Sequence, residues 1–554
     1  MTPEHLSTVI VDVLNGLVAE GALNLPDGVP AEVTVERPRQ KGHGDYATNV
    51  ALQLSKKAGT NPRALAELVK AGLEQAEGIS GVEIAGPGFL NISVEAGAQG
   101  KLADEIVEAG AAYGRNDALA GEKINVEFIS ANPTGPLHLG HTRWAAVGDA
   151  LSRVLDAAGA DVDREFYIND RGNQMNLFGA SILAVALGEE VPEGGYKGGY
   201  VKGLAERVLA ENPGILDLPT EPTDERLLAF REAGYAIQLA EQQQQLEIFH
   251  TTFDTWFSER ELHEDSSVAD TLRDLKEQGH IFEDGGAVWM RTTTFGDDKD
   301  RVLIRSNGEL TYFASDTAYY LNKRERGYDR CVYLLGADHH GYVGRLKAMA
   351  ACAGDDPEKN IEVLIGQLVK IMKNGEEMKL SKRAGTIVTL QELTDEIGVD
   401  ALRYTLARYP ADSPLVLDVA QVTKQSSDNP VFYVQYAHAR VSSILRNAAD
   451  LGLEPASHPE LLVHEKEGEL LRALAEFPRV VATAAELREP HRVARYLEDT
   501  ASSYHKFYDH CRVLPQGDEE PTELNAARLR LVDATRTVLA NGLALLGVTA
   551  PERM

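Results

Sequence analysis

Hydrophobic and polar residues alternate from Ile124 to Phe128, and this period of two predicts a β-strand. After a loop rich in Pro and Gly, apolar residues return at helical spacing. They predict one buried helical face, formed by Val147, Leu151, Val154 and Ala158. A second strand is predicted at 162–168, with further strands at 331–337 and within 362–373. A strand–helix–strand unit of this kind predicts a parallel sheet with helices on its faces.

The same patterns divide the chain into three predicted domains. Residues 1–115 predict a small α+β domain with helices near 4–20 and 61–76, a short strand at AEVTVERP and a strand pair near GVEIAGPGFLNISV. Residues 116–415 predict a Rossmann-type α/β domain, interrupted at about 171–290 by a polar, helical insertion. Residues 416–554 are almost wholly helical in pattern and predict an all-α bundle.

Composition narrows the class of protein. The chain has 554 residues, 43% hydrophobic and 25% charged, which predicts a soluble, folded protein of several domains. The amphipathic N-terminus lacks the basic start of a signal peptide, and no apolar run is long enough to cross a membrane. Three cysteines lie far apart without a CxxC pair, which favours the reducing cytoplasm over a disulfide framework or a thiolate zinc site.

The net charge of −30 argues against a general nucleic-acid binder. It does not exclude one, because nucleic-acid binding depends on a local basic surface and not on the total charge.

The loop ANPTGPLHLGHTR carries two histidines where the first predicted strand ends and a helix begins. The start of a helix offers backbone N–H groups and a partial positive charge, both suited to phosphate. Gly140 would let a phosphate approach the backbone, and His138 and His141 could donate hydrogen bonds to a transferring phosphoryl group. The residues alone equally allow two structural histidines that cap a turn. A metal site is less favoured, since no further ligand pattern lies nearby.

Two later motifs could complete a phosphate site. In MKLSKRAGT, Lys379, Lys382 and Arg383 surround Ser381 in a short loop that could close over a triphosphate. Alone, such a loop is more simply a solvated basic loop. In GADHH, Gly336 and Asp338 follow a predicted strand and could hold ribose hydroxyls. An alternative for Asp338-His339-His340 is the metal cluster of a phosphoesterase.

HLGH and KLSKR, in this order around a Rossmann-type sheet, resemble the two signature motifs of class I aminoacyl-tRNA synthetases. The details resemble the arginyl-tRNA synthetases from end to end of the chain. The similar segments are HGDYATN, GPGFLNI, VEFISANPTGPLHLGHTR, YINDRGNQM, GELTYFASDTAYY, GADHHGY, KLSKRAGT, VDALRYTLARY, QYAHAR and LGVTAPERM.

The resemblance implies ATP-dependent formation of arginyl-adenylate, followed by transfer of arginine to the 3′ end of tRNA(Arg). His138 and His141 would hold the triphosphate of ATP, and Lys379 and Lys382 the leaving pyrophosphate. The other implied ATP-binding residues are Gly140, Gly336, Asp338, His339, Leu368, Val369 and Ser381. Mg²⁺ is expected with ATP, and no protein-bound metal is predicted.

For the arginine side chain, the resemblance implies carboxylates and a tyrosine, at Glu127, Tyr312 and Asp316. Ser130 and Asn132 would meet the α-amino and carboxylate groups of the substrate. A guanidinium is a planar fork of five donors, which two carboxylates can bind and which a lysine cannot replace. Without the resemblance, Glu127 would be interpreted as an ordinary strand carboxylate, and Tyr312 and Asp316 as a helix start.

By the same resemblance, Tyr436, His438 and Arg440 in the C-terminal bundle would read the anticodon, and the N-terminal domain would touch the corner of the tRNA. The residues themselves favour core packing for QYAHAR. A monomer is expected, with activation of arginine dependent on bound tRNA. The alternatives are another class I synthetase or small adenylyltransferase, a metal-dependent phosphoesterase, and a non-catalytic tRNA-binding relative.

Overall fold

The computed structural model describes residues 1–264, 267–378 and 388–554. The N-terminal region packs helices against a three-stranded antiparallel sheet in the order β1-β3-β2. Its elements are α1 (Pro3–Ala19), β1 (Tyr46–Thr48), α2 (Val50–Leu54), α3 (Pro62–Leu73), β2 (Ile79–Ala85), β3 (Phe89–Val94) and α4 (Ala96–Ala109).

The expected strand at AEVTVERP is replaced by an isolated bridge. Glu36 and Ala47 exchange backbone hydrogen bonds of 2.9 and 2.7 Å, and Val35 is buried in the domain core. Pro30 and Pro38 bracket the segment, and proline has no N–H to extend a ladder. The predicted hydrophobic pattern therefore places Val35 in the core, but strand pairing is limited to Glu36 and Ala47.

The central region contains the parallel sheet that the sequence predicts. Its elements are β4 (Lys123–Glu127), α5 (Leu139–Ala157), β5 (Asp161–Ile168), α6 (Asn173–Leu187), α7 (Gly199–Glu211), α8 (Glu225–Ile248), β6 (Thr255–Ser258), α9 (Glu259–Glu264), α10 (Ser267–Glu277), β7 (Ile281–Asp284), β8 (Ala287–Met290), β9 (Arg301–Ile304), α11 (Tyr312–Glu325), β10 (Arg330–Gly336), α12 (Tyr342–Cys352), β11 (Ile361–Gly366), β12 (Val369–Lys373), β13 (Glu376–Glu377), α13 (Leu390–Ile397), α14 (Val399–Ala407) and β14 (Leu415–Asp418).

Five strands form the main sheet in the order β11-β10-β4-β5-β6, and every neighbouring pair is parallel. Strands β5 and β6 follow β4 on one side, whereas β10 and β11 lie on its other side. The order of the strands therefore reverses between β4 and β10. In open α/β sheets, ligands bind at the carboxyl ends of the strands at such a switch point.

The segment 171–290 is not the purely helical insertion that its pattern predicts. Strand β6 comes from it and completes the main sheet, and β7 and β8 pair as an antiparallel hairpin. A four-residue strand shows too little alternation to be recognised within a polar stretch. The Gly285-Gly286 pair was a usable sequence signal for the hairpin. Both residues have positive φ in its turn, a conformation that glycine adopts readily.

The C-terminal region is the helical bundle that the sequence predicts, built from α15 (Val419–Val422), α16 (Pro430–Asp450), α17 (Glu465–Ala475), α18 (Phe477–Glu486), α19 (His491–His510) and α20 (Glu523–Leu545). It shares one hydrophobic core with the main sheet and α5. Val126 of the sheet, Leu151 of α5 and Val441 and Leu497 of the bundle belong to the same buried cluster.

A buried ion pair reinforces this junction. Arg403 on α14 donates to Asp149 on α5 at 2.6 Å, and both side chains are fully buried. Arg403 also donates to the carbonyl oxygen of Leu546, directly after α20, at 3.0 Å. Helix α5 is thus fixed to the C-terminal segment. Over the parts of the chain described above, no helix has the length and apolar character needed to span a membrane.

Candidate active site

The HLGH loop joins β4 to α5 at the switch point, and its two histidines cap the helix with their own rings. Nδ1 of His138 accepts from the backbone N–H of Gly140 at 3.0 Å, and Nδ1 of His141 accepts from that of His138 at 3.2 Å. The rings lie 3.9 Å apart between centroids. Because Nδ1 accepts, each neutral ring carries its proton on Nε2 and is a donor there.

Gly140 is needed for this arrangement. A Cβ at position 140 would lie 2.9 Å from Cε1 of His138, so a side chain would displace the capping imidazole. The two predicted roles of the histidines, capping the helix and donating to phosphate, are therefore compatible. Capping through Nδ1 leaves Nε2 as the donor atom.

The chain that follows the basic loop is hydrogen-bonded to the HLGH loop. The N–H of Leu139 donates to the carbonyl oxygen of Val388 at 3.0 Å, and that of Leu390 donates to Leu137 at 2.9 Å. Three predicted site residues lie outside the described residues, namely Lys379, Ser381 and Lys382. The described residues that follow them, from Val388, are hydrogen-bonded beside the histidines.

Arg143, one turn into α5, was not singled out from the sequence. Its buried guanidinium donates to the carbonyl oxygens of Gln367 at 2.9 Å, Pro410 at 2.7 Å and Ser413 at 2.7 Å. Burial lowers the pKa of this guanidinium. Arg143 thus fixes the segment after β11 relative to the HLGH helix. The signal was its position in HLGHTR, at the start of the helix.

The predicted adenine segment is exposed at the sheet edge. The Leu368 side chain is 72% exposed, and its carbonyl oxygen accepts from the N–H of Leu415 at 3.2 Å. Val369 pairs with Leu415 in a parallel ladder. This ladder belongs to a second sheet, β13-β12-β14, and so does not extend the main one.

Gly336, Asp338 and His339 follow β10, the strand next to β4 across the switch point. Gly336 ends the strand, and Asp338 and His339 are exposed in a short 3-10 turn. The Asp338 carboxylate folds back toward the end of the strand, with Oδ1 2.8 Å from where a Cβ of residue 336 would lie. The structure therefore brings the HLGH and GADHH loops to one edge, as the sequence predicts.

At the end of β4, the Glu127 carboxylate already has partners. Oε1 accepts from Ser130 Oγ at 3.0 Å, and Oε2 pairs with Lys323 Nζ on α11 at 2.9 Å. Ile129 and Ser130 have φ values of 68° and 47°, a left-handed conformation that β-branched isoleucine rarely adopts. Such local strain is typical of functional loops.

Asp316 and Glu259 form what we call the raised-pKa pair. Burial, followed by the charges of Glu127 and Glu259, raises the pKa of Asp316 to about 7. Burial and the charge of Asp170 raise the pKa of Glu259 to about 7, against the lowering effects of Arg171 and of a hydrogen bond with Tyr167. Among the described residues, neither carboxylate has a Lys or Arg nitrogen within ion-pair distance, and His263 Nε2 lies 4.0 Å from Glu259 Oε1. Sequence reasoning missed Glu259 because it directly follows β6, the strand that was not predicted.

Tyr312 and Asn132 lie at the periphery of this cluster. Tyr312 is the first residue of α11, 78% exposed, and one helical turn before Asp316, so both share a helix face. Asn132 Oδ1 accepts from Asn169 Nδ2 at 3.3 Å, and the buried Gln242 donates to the carbonyl oxygen of Asn132 at 3.0 Å.

The predicted anticodon residues divide between two faces of α16. Tyr436 is 41% exposed, and the Arg440 guanidinium lies 4.2 Å from the Tyr508 ring centroid. His438 is buried, its Nδ1 lies 2.8 Å from the Pro551 carbonyl oxygen, and burial lowers its pKa. A tRNA contact by His438 does not fit this position, because the ring holds the C-terminal segment instead.

The parallel sheet has HLGH and GADHH at its switch point, with the chain from Val388 hydrogen-bonded to the HLGH loop, and this arrangement defines the catalytic domain of a class I aminoacyl-tRNA synthetase. The family model for the class I (R) tRNA synthetase catalytic domain matches residues 105–194 and 222–409. The models for the arginyl tRNA synthetase N terminal domain and the DALR anticodon binding domain match residues 4–94 and 434–554.

Two relatives are similar to the chain over its whole length. It is 58% identical over 557 residues to an arginine–tRNA ligase from Paenarthrobacter aurescens (strain TC1) and to another from Renibacterium salmoninarum, with full coverage of both chains in each case. The Thermus thermophilus arginyl-tRNA synthetase structure has the same fold, with a TM-score of 0.74 at 24% identity and full coverage of both chains. The chain belongs to the arginyl-tRNA synthetase family, and its activity is arginine–tRNA ligation with ATP as a substrate.

Proposed function

We propose that the raised-pKa pair, Asp316 and Glu259, binds the guanidinium of L-arginine during this reaction. The observation that carries the proposal is that the charge of Glu259 acts on the buried Asp316, and that among the described residues neither carboxylate has a Lys or Arg nitrogen within ion-pair distance, with His263 Nε2 at 4.0 Å from Glu259. Two such groups disfavour each other's ionised form, and a bound cation removes that penalty. A planar guanidinium can donate to both at once, which a lysine ammonium does with poorer geometry.

The α-amino and carboxylate end of arginine would lie toward β4. Glu127, Ser130 and Asn132 follow one another there, and the Lys323 ion pair already balances the charge of Glu127. As the resemblance implies, Glu127 would be a further carboxylate for the guanidinium, and Ser130 and Asn132 would meet the α-amino and carboxylate groups. Tyr312 would cover the pocket at its mouth, one helical turn from Asp316.

The ATP end of the site would lie on the other side of the HLGH loop. His138 and His141 would donate from Nε2 to the triphosphate, and Gly336, Asp338 and His339 would hold the ribose. Leu368 and Val369 would face adenine from the segment that Arg143 holds. By family resemblance, Gly140 would flank the phosphates, and Lys379, Ser381 and Lys382 would act on the leaving pyrophosphate.

Mg²⁺ is proposed as part of the ATP substrate. Within residues 1–264, 267–378 and 388–554, no group of three His, Cys, Asp or Glu side chains is arranged to hold a metal ion. Mg²⁺ commonly binds through substrate phosphates and water, which needs no protein cage. Bound in that way, it would offset phosphate charge.

For tRNA(Arg), we propose that Tyr436 and Arg440 contact single-stranded anticodon bases from the exposed face of α16. Aromatic rings and guanidinium planes are the usual stacking surfaces for such bases. In the N-terminal region, Asp45 of HGDYATN accepts from the N–H of Val94 at 2.8 Å and pairs with Arg472 of the bundle at 2.6 Å. This motif would therefore orient the N-terminal domain against the bundle and toward the tRNA.

Dependence of arginine activation on bound tRNA is also proposed. The segment after α20 is held from both sides: Gln435 on α16 donates to the carbonyl oxygen of Thr549 at 2.9 Å, and the N–H of Thr549 donates to Asp400 on α14 at 3.0 Å. With the Arg403–Asp149 pair, these contacts connect the proposed anticodon helix to α5.

We further propose the domain limits 1–115, 116–415 and 416–554, a monomer and a cytoplasmic location. The location is supported by the three cysteines, Cys331, Cys352 and Cys511, which are all buried free thiols.

The test is arginine-dependent ATP–pyrophosphate exchange with and without tRNA. We expect exchange with arginine and tRNA together, and only background with lysine. Exchange with lysine but not with arginine would contradict the assignment of the pocket. Binding of tRNA should also weaken steeply with salt, because the basic contacts must be local in a chain of net charge −30.

A further inference from the structure

Arg143, near the start of α5, binds main-chain carbonyls and not side chains. Its side chain is 5% exposed, and the guanidinium donates to Gln367, Pro410 and Ser413 at 2.9, 2.7 and 2.7 Å. A buried guanidinium is stable only where its donors are satisfied, and its planar fork accepts partners only in fixed directions. Arg143 therefore fixes the path of the backbone in the two loops that carry these carbonyls.

The two loops are also joined to each other. Gln367 lies between β11 and β12, and its N–H donates to the carbonyl oxygen of Ala411 at 2.8 Å. Ala411 belongs to the loop 410–413, between α14 and β14. This loop is a firm support, because Arg408 at the end of α14 pairs with Glu498 of the bundle at 2.9 Å. The segment after β11 is thus held against a loop that is itself fixed.

The contact with Arg143 sets the direction of a main-chain donor. The carbonyl of Gln367 and the N–H of Leu368 belong to one peptide group, and in a planar trans peptide these bonds point in opposite directions. Because the carbonyl is directed at Arg143 on α5, the Leu368 N–H points away from that helix. Among the described residues, this N–H has no hydrogen-bond partner. It is therefore a fixed donor in the segment proposed to face adenine.

The next residue of α5 supports the same place. A Cβ at Gly366 would lie 2.8 Å from Cζ2 of the buried Trp144, so the indole packs directly on the end of β11. Two consecutive residues of α5 thus contact two consecutive residues of this segment. The same helix begins at His138 and His141, so one rigid element relates the proposed phosphate donors to the proposed adenine segment.

We propose that Arg143 is a positioning residue for ATP, which directs the Leu368 N–H at N1 of adenine. The inference rests on the proposed adenine segment, Leu368 and Val369. N1 is an acceptor on the Watson–Crick edge of the base, and one correctly directed N–H can recognise it. A hydrogen bond weakens steeply as its angle departs from linearity. Rotation of the 367–368 peptide would therefore lose this contact and leave the phosphate and arginine contacts in place.

The experiment compares ATP with 1-deaza-ATP, in which a C–H group replaces N1, as substrates for arginylation of tRNA by the full-length chain. For the wild type we expect kcat/KM to be about tenfold lower with 1-deaza-ATP, since one hydrogen bond is lost. In Arg143→Met the two substrates should differ by less than about twofold, because the donor is no longer directed at N1. Arg143→Lys keeps the charge but not the planar fork, and should give an intermediate ratio of about threefold.

Arg330→Met is the matched control variant. Arg330 pairs at 2.7 Å with Glu362 near the amino end of β11, so its loss breaks an ion pair on the same strand, away from Gln367. We expect lower stability but the wild-type ratio of about tenfold. The control substrate is 7-deaza-ATP, which lacks an acceptor on the other edge of the base. Its ratio to ATP should be the same in the wild type and in Arg143→Met.

An unchanged 1-deaza ratio in both Arg143 variants would overturn the inference, because a purely structural role lowers kcat/KM equally for the two substrates. A 7-deaza ratio that changes as much as the 1-deaza ratio would also overturn it, since the effect would not be specific to N1. If Arg143→Met does not fold, Arg143→Lys alone decides the question. A wild type that uses ATP and 1-deaza-ATP equally well would instead overturn the proposed adenine segment itself.

Discussion

Two sets of carboxylates lie side by side at the carboxyl edge of the main sheet, and they differ in their partners. Glu127 and Glu165, on the strands, each have a cationic partner: Lys323 on α11 at 2.9 Å and Arg326, directly after α11, at 2.5 Å. Asp316 and Glu259, on the helices above, have pKa values raised to about 7.

The difference separates carboxylates that have a Lys or Arg partner from carboxylates that have none among the described residues, and the proposed guanidinium site uses the second set. Burial alone would raise the pKa of Glu165, but hydrogen bonds and charge from Arg326, together with Lys323 and Tyr319, lower it. For the raised-pKa pair, burial and the charges of neighbouring carboxylates outweigh the lowering effects of Arg171 and Tyr167 on Glu259 and of Arg345 on Asp316. A folded protein retains such a cost where a ligand later provides the missing charge.

The largest expected effect is on the raised-pKa pair. Asp316→Asn and Glu259→Gln should each lower kcat/KM for arginine by roughly 10²- to 10³-fold, because each leaves a buried guanidinium without one of its acceptors. The KM for ATP should change little. Steady-state exchange kinetics with saturating tRNA measure both constants, and an equal loss for arginine and ATP would place these carboxylates elsewhere.

Removal of a strand carboxylate should affect folding more than binding. Glu165→Gln leaves Arg326 partly buried and unpaired, which should lower the free energy of unfolding by about 3 kcal/mol. The exposed pair Arg115–Asp156 provides the control, since Arg115→Ala should cost about 0–1 kcal/mol. Urea unfolding followed by circular dichroism compares the two. Equal midpoints would show that burial does not distinguish these ion pairs.

Arginine binding should depend on pH near neutrality. As the pH falls through 7, Asp316 and Glu259 take up protons and lose the charge that attracts the guanidinium. The KM for arginine should rise about tenfold per pH unit for each proton taken up. Exchange assays from about pH 6 to 8 measure this dependence. A flat KM would mean that neither carboxylate titrates in that range.

The smallest effect is a gain of stability. Because the folded-state pKa of Asp316 lies above its unfolded value, ionising this group opposes folding, and the cost grows as the pH rises from about 4 to 7. Asp316→Asn should therefore stabilise the protein by about 1 kcal/mol at pH 8 and less at pH 5. Thermal unfolding at both pH values checks the sign, and a loss of stability at pH 8 would reverse it.

The sequence predicted one member of each set, Glu127 and Asp316, and missed Glu165 and Glu259. Glu127, Ser130 and Asn132 stand next to HLGH in the chain, and α11 begins with the motif that contains Asp316, so local pattern and resemblance found them. Glu259 was hidden because β6 has only four residues within a helical stretch. The Lys323–Glu127 pair joins positions 196 residues apart, and only the crossing of α11 over β4 creates it.

Helix α5 and the C-terminal bundle also combine features that the local sequence predicts with tertiary contacts that it does not. The capping of α5 by His138 and His141 depends on local spacing, and the helix start was correctly expected. The clamp of Arg143 on Gln367, Pro410 and Ser413 depends on tertiary packing that no periodicity encodes. His438 was assigned to tRNA from its motif, whereas the fold buries it against Pro551.

The most direct test is the number of protons released when arginine binds at pH 7. With both pKa values near 7, each carboxyl is about half protonated, and a bound guanidinium would drive both to the ionised form. Calorimetry of the tRNA-bound protein in buffers of different ionisation enthalpy should show release of about one proton per arginine. Release should fall by about half in Asp316→Asn and persist in Arg326→Met. Binding of arginine without proton release would contradict the account.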